Sequence, residues 1–210
     1  MLGEPWEATL LYSQVDKAFK EDDLGEMGRY KNAKLAYYNG DFEWAQTQLK
    51  VLKASTSELI SNDAIDLSVF IMDNLNLDTS ATAMKLYATA ELLTFQNRFE
   101  EAFAKLDSLQ AQFPKHSLDD DILYAKAQIY KKQHDYPEAA KNLQRIIANY
   151  PEEIRGDNAT FELAELNETH LNDKAAAQKL YEKIITDYAS STFIVEARKR
   201  FRALRGDKMN

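Results

Sequence analysis

The chain has 210 residues, 45% of them hydrophobic and 29% charged, with a net charge of −8, three histidines and no cysteine. Disulfides, thiolate metal sites and cysteine nucleophiles are thereby excluded, and the acidic balance disfavours nonspecific attraction to nucleic acid or anionic lipid. No apolar run approaches a membrane span, since Val69-Phe-Ile-Met72 covers only four residues, and the opening Met1-Leu-Gly-Glu-Pro5 has no signal-peptide character.

Hydrophobic periodicity predicts helices over 5–21, 24–39, 42–54, 62–76, 80–96, 99–112, 118–133, 136–149, 153–170, 173–188 and 191–205. The first carries an apolar stripe of Ala8, Leu11, Tyr12, Val15 and Phe19. It aligns with the second helix of the next pair, and no first helix precedes it. The chain is therefore expected to be a fragment of a longer protein, with any targeting signal upstream, or to take that cover from elsewhere. Tight turns are expected at Asn39-Gly40, Asn97-Arg98 and His134-Asp135. Asn62 or Asp63 is the expected N-cap of the helix over 62–76, and Pro151 suits a helix start.

These elements repeat. Gly3-Glu-Pro-Trp-Glu-Ala8, Gly40-Asp-Phe-Glu-Trp-Ala45, Asn97-Arg-Phe-Glu-Glu-Ala102 and His134-Asp-Tyr-Pro-Glu-Ala139 close on alanines 37, 57 and 37 residues apart, and Leu171-Asn-Asp-Lys-Ala-Ala176 follows after 37 more. A fixed period of this size marks a stack of like units. Two units are clear. Leu86, Ala90, Leu93, Phe99, Ala102, Leu106, Leu109 and Phe113-Pro114 return as Leu123, Ala127, Tyr130, Tyr136, Ala139, Leu143, Ile146 and Tyr150-Pro151.

This pattern resembles the tetratricopeptide repeat. The resemblance implies an all-α, right-handed superhelical solenoid of antiparallel helix hairpins, about 11 helices in all. Ala33/Ala45, Ala90/Ala102, Ala127/Ala139 and Ala164/Ala176 share a twelve-residue separation, which places small residues where paired helices cross. The family repeat is usually 34 residues long, so the three extra residues fall after the proline, in Lys115–Asp119 and Glu152–Gly156. That longer turn looks like the tetratricopeptide proteins of bacterial cell envelopes, the outer-membrane-assembly lipoproteins and the Tol–Pal coordinator. A periplasmic or outer-membrane-associated location follows from the resemblance alone, and the residues leave the cytoplasm open. The whole of 1–210 reads as one solenoid, in blocks of 1–57, an extra helix and register break over 58–79, regular repeats over 80–189 and a cap over 190–210.

Tyr30, Tyr87, Tyr124 and Phe161 occupy one repeat position, three residues before each first-helix alanine, with Tyr37, Tyr38 and Phe95 further along. In the family this position borders the concave groove, so the column marks an expected binding wall for a protein or peptide partner. The alternative is that these rings pack against the neighbouring repeat. Lys34, Glu91, Gln128 and Glu165 lie one turn on and cannot build the clamp that some family members use for a C-terminal carboxylate. The expected role is a non-enzymatic scaffold without cofactor or metal. A second expected role is an assembly arm of an envelope protein, self-associating through the first helix.

Other constellations are weaker. His134 and His170 could approach across neighbouring repeats while His116 sits at another edge, but two histidines without further ligands do not make a metal site. Glu21-Asp-Asp23 and Asp119-Asp-Asp121 look like paired catalytic carboxylates only on paper; Asp119–Asp121 and Glu152-Glu153 read as helix-start acids. The basic end, Arg198 to Lys208, reads as a cap whose Phe193, Ile194, Ala197 and Phe201 cover the last repeat.

Overall fold

The computed structural model describes residues 5–20, 22–54, 57–75, 81–153 and 155–207. The fold is all-α, with eleven helices and no strand among the described residues. It divides into two compact units, Met1–Ser117 and Leu118–Asn210.

The first unit holds α1 (Pro5–Ala18), α2 (Asp23–Tyr38), α3 (Phe42–Leu52), α4 (Glu58–Leu75), α5 (Thr82–Phe95) and α6 (Phe99–Gln112). The second holds α7 (Asp119–Lys132), α8 (Tyr136–Asn149), α9 (Arg155–Thr169), α10 (Lys174–Asp187) and α11 (Ile194–Arg205). Each predicted helix is present, with ends shifted by a few residues. The largest shift is in α4, which starts at Glu58, so Asn62 and Asp63 lie inside it and do not cap it. The earlier start is favoured by Ile60, which it buries. Pro151 and Glu152-Glu153 lie in the turn before α9 rather than in its first turn.

Four hairpin turns each have one left-handed residue, and in three of them a capping aspartate follows it. Gly40, Asn97, His134 and Asn172 all have φ between 60° and 75°. In three turns the next amide donates back five residues, from Asp41 to the Ala36 carbonyl, Arg98 to Leu93 and Asp135 to Tyr130. That bond satisfies a carbonyl at the helix end. Asp41, Asp135 and Asp173 then accept from the amides of Trp44, Glu138 and Ala176, each cap worth about 1 kcal/mol.

The fourth turn corrects the expected register. Its left-handed residue is Asn172, 38 residues after His134, because His170-Leu171 adds one residue to the turn. The amide of Asp173 accordingly reaches back six residues, to the Asn167 carbonyl. The fully buried alanine of α10 is therefore Ala177, while Ala176 is only half-buried. The other crossing alanines, Ala33, Ala45, Ala90, Ala102, Ala127, Ala139 and Ala164, are all buried as expected.

In the first unit α4 packs on α3 and α2, and α5 also packs on α2. Gln46 donates to the Ser68 carbonyl at 2.7 Å and accepts from the Ser68 hydroxyl at 2.6 Å, tying α3 to α4. Helices α1 and α2 approach closely at Gly28, where a Cβ would stand 3.0 Å from the Tyr12 carbonyl oxygen. Arg29 grips Asp16 with two bonds of 2.8 and 3.2 Å across the same pair. The stripe of α1 is split: Ala8, Tyr12 and Val15 are partly covered, whereas Leu11 and Phe19 are exposed together with Trp6 and Leu10.

In the second unit Leu123, Leu143, Ile146 and Leu163 form the core between the α7–α8 and α9–α10 hairpins. Phe161, Tyr181, Ile184 and Ala197 form the next layer, with Phe193 and Phe201 packed over it. The terminal helix thus covers the last hairpin, as the cap reading expects.

Candidate functional site

The aromatic column sits on the first helices of the hairpins, α2 and α5 in the first unit and α7 and α9 in the second; Tyr37 and Tyr38 follow Tyr30 by two turns on α2, and Phe95 follows Tyr87 by two turns on α5. The structure separates its members. Tyr30, Tyr37, Tyr87 and Phe161 are buried, Tyr38 and Tyr124 are half-buried, and Phe95 is 49% exposed. Glu91, Gln128 and Glu165 are half-buried.

In the first unit the rings are covered by a residue that the periodic pattern missed, Phe70 of the inserted helix α4. Its ring lies 6.3 Å from Tyr37 and 5.3 Å from Tyr87, joining α2, α4 and α5. Tyr37 also contacts Tyr38 and Phe42 at 5.5 and 5.8 Å. The half-exposed end of the cluster is the pair Tyr38–Phe95, stacked at 6.5 Å. Lys34 holds its ammonium 5.7 Å from the centre of the Tyr38 ring.

Acidic residues of α4 and α5 act on these rings through their charge. Burial, and then Asp63, Glu91 and Asp66 in that order, raise the Tyr30 pKa. Burial and then Glu91 raise those of Tyr37 and Tyr38. The Tyr37 ring is fully buried, and Glu91 is its foremost charged neighbour. Asp63 and Asp66 come from α4, at a spacing of three that puts them on one side of it.

The second unit treats the same positions differently. Glu162 accepts from the Tyr124 hydroxyl, from Gln128 at 2.7 Å and from Lys131 at 2.6 Å, so α7 is laced to α9. The Arg155 guanidinium lies 4.7 Å over the Tyr124 ring and bonds Asp121 at 2.8 Å. Burial and then Glu162 raise the Tyr124 pKa. Phe161 stacks on Phe193 at 4.6 Å. Arg200 of α11 meets Glu165 at 2.9 Å, Glu168 at 3.3 Å and Glu196 at 2.9 Å. Gln128 and Glu165 are thus engaged within the unit. Glu162 lies one residue beyond the column, and its partners stand 31 to 38 residues before it, so no local pattern marks it.

The histidines form no ligand set. His134 Nδ1 lies 3.0 Å from the Tyr136 hydroxyl, and His170 stacks on Tyr136 at 3.7 Å, so a tyrosine stands between them. His116 packs edge-on against Phe113 at 6.0 Å. Among the described residues no three His, Cys, Asp or Glu gather as metal ligands, and no helix is long and apolar enough to cross a membrane. Asp119–Asp121 do open α7, but Asp120 is buried there, and burial together with Asp121 pushes its carboxyl up to about 7. Asp22 caps α2, its side chain accepting from the Leu24 amide.

The tetratricopeptide repeat family model matches residues 121–153 and 159–191. Those spans are the α7–α8 and α9–α10 hairpins with their following turns, and their offset of 38 agrees with the turn geometry. No curated protein matches the chain.

Proposed function

We propose that this chain is a tetratricopeptide-repeat scaffold, without enzymatic activity, that binds another protein or a peptide on the first-helix face of its hairpins. The observation that carries the reading is the pair of matched repeats, since this repeat generally mediates protein–protein contact. Recognition by preformed shape needs no cofactor, and the helices supply a rigid surface whose side chains are held by their neighbours. The partner-facing residues in this reading are Tyr38, Phe95 and Glu91. Tyr30, Tyr37, Tyr87 and Phe161 hold the wall from behind, and Tyr124, Gln128 and Glu165 stiffen the second unit.

The lengthened turns after Phe113-Pro114 and Tyr150-Pro151 support an envelope-type scaffold of bacteria, associated with the periplasm or outer membrane. Photo-crosslinking in the native host tests the face. Benzoylphenylalanine at position 95 or 38 should trap a discrete protein adduct, and the same group at Lys50 on α3 should not. Adducts formed only from Lys50, or from none of the three, would end the reading.

A second reading, an assembly arm that self-associates, is favoured by α1, where Trp6 and Leu11 are 63% and 61% exposed beside Leu10 and Phe19. Clustered apolar side chains of this kind mark contact surfaces. Sedimentation equilibrium should then show concentration-dependent association that Leu11→Glu abolishes, and a strict monomer would eliminate it.

A further inference from the structure

Helix α1 carries apolar side chains on a side that its counterparts fill with other residues. Ala8, Ala45, Ala102 and Ala139 mark one repeat position on α1, α3, α6 and α8. Counted from them, Trp6 stands where the other helices have Glu43, Glu100 and Pro137, and Leu10 where they have Thr47, Ala104 and Lys141. Those six residues are exposed although α3, α6 and α8 each pack on their own first helix, α2, α5 and α7. A first helix laid on α1 in the same way would therefore leave Trp6 and Leu10, 63% and 52% exposed, in water. The side that α1 turns to α2 is a different one, where Tyr12, Val15 and Asp16 meet Gly28 and Arg29.

The charges on the outer side are arranged to match a reversed copy of themselves. Glu7, Leu10, Gln14 and Lys17 are spaced by three, four and three residues, so they run along one side of the helix, and all are exposed. Glu7 lies in the first turn and Lys17 in the last. A second α1 turned about a two-fold axis at the level of residue 12 sets each Glu7 against a Lys17 and each Leu10 against a Gln14, with Leu11 and Trp6 beside the seam. A parallel pair would set like charges side by side.

We propose that α1 pairs antiparallel with the α1 of a second copy, with Leu10, Leu11 and Trp6 along the seam and Glu7–Lys17 contacts at both ends. The proposal rests on the assembly-arm reading and names the surface and orientation of its partner. Two-fold pairing uses one patch twice, so this face needs only to complement itself. A seam along one helix of 14 residues buries less than the about 800 Å² per copy of a stable interface, so the pair is weak, with a Kd of about 0.1–1 mM.

The test is sedimentation equilibrium of the full chain up to millimolar concentration, with variants of Glu7 and Lys17 whose helix content is checked by circular dichroism. Glu7→Lys and Lys17→Glu should each raise the Kd about tenfold, because two attractive contacts become two repulsive ones. An equimolar mixture of the two variants, and a chain carrying both changes, should associate as the parent does. Failure of either rescue would overturn the arrangement. If Leu11→Glu abolishes association while the charge variants behave as the parent, the assembly-arm reading stands and the antiparallel pair falls. A strict monomer ends both. Benzoylphenylalanine at position 10 should give an adduct of twice the chain mass, and an adduct only with a different protein would assign the face to another partner and overturn the pair.

Discussion

Asp120 offers a test in which the sign and size of an effect both follow from position. The residue is buried in the first turn of α7, where burial and the neighbouring Asp121 raise its carboxyl from the usual carboxylate range to about 7. In the unfolded chain the group ionises near pH 4, so between about pH 4 and 7 the folded protein retains a proton that the unfolded chain has lost. Stability is then fully present below pH 4, falls as pH rises towards 7, and levels off above it. At full strength the difference corresponds to about 4 kcal/mol, and partial access of the carboxyl to water reduces this to about 2. Asp120→Asn removes the penalty while keeping an oxygen that accepts from the first-turn amides. The variant should be about 2 kcal/mol more stable than the parent at pH 8, or about 4–8 °C in Tm for a chain of this length, and equal to it near pH 3.5. Urea and thermal unfolding followed by circular dichroism at both pH values measure this. A gain that is the same at both values, or a loss at pH 8, would refute the argument from burial.

Two further substitutions probe the packing. Ala139→Leu and Ala177→Leu should each overpack a crossing and cost about 1–3 kcal/mol in denaturant unfolding, whereas Ala176→Leu should stay within about 0.5 kcal/mol. If Ala176→Leu proved the more damaging of the last two, the 38-residue register would be wrong. Arg200→Met should leave Glu165, Glu168 and Glu196 without their shared cation and cost about 1–2 kcal/mol. Faster amide hydrogen exchange in α11 is the expected signature, and unchanged protection there would show that apolar packing of Phe193 and Ala197 suffices.

The hairpins were legible in the sequence because their cause is local. A left-handed residue, a capping aspartate and a small residue at fixed spacing are all written in adjacent positions, as at Gly40-Asp41 and Ala45. The register of the last hairpin departs from the 37-residue period because Leu171-Asn-Asp and Asn172-Asp-Lys both offer a turn signal, and only backbone conformation chooses Asn172. The column of rings was legible as a position but not as a surface. Whether a tyrosine at that position is covered depends on the residue opposite it, and Phe70 lies on a helix outside the repeat pattern. Likewise the engagement of Gln128 and Glu165 depends on Lys131, Glu162 and Arg200, partners 31 to 35 residues away from the groups they meet.

The inserted helix is what makes the two units different. Helix α9 packs on α8 and α7, and α4 packs on α3 and α2 in the same relation. Yet α9 brings Arg155 and Glu162, which neutralise Asp121 and tie Tyr124, Gln128 and Lys131, so the charges on that face are satisfied from within. In the corresponding place α4 brings Asp63, Asp66 and Phe70. The ring fills the space behind Tyr37 and Tyr87, and the two aspartates, like Glu91, raise the Tyr30 pKa.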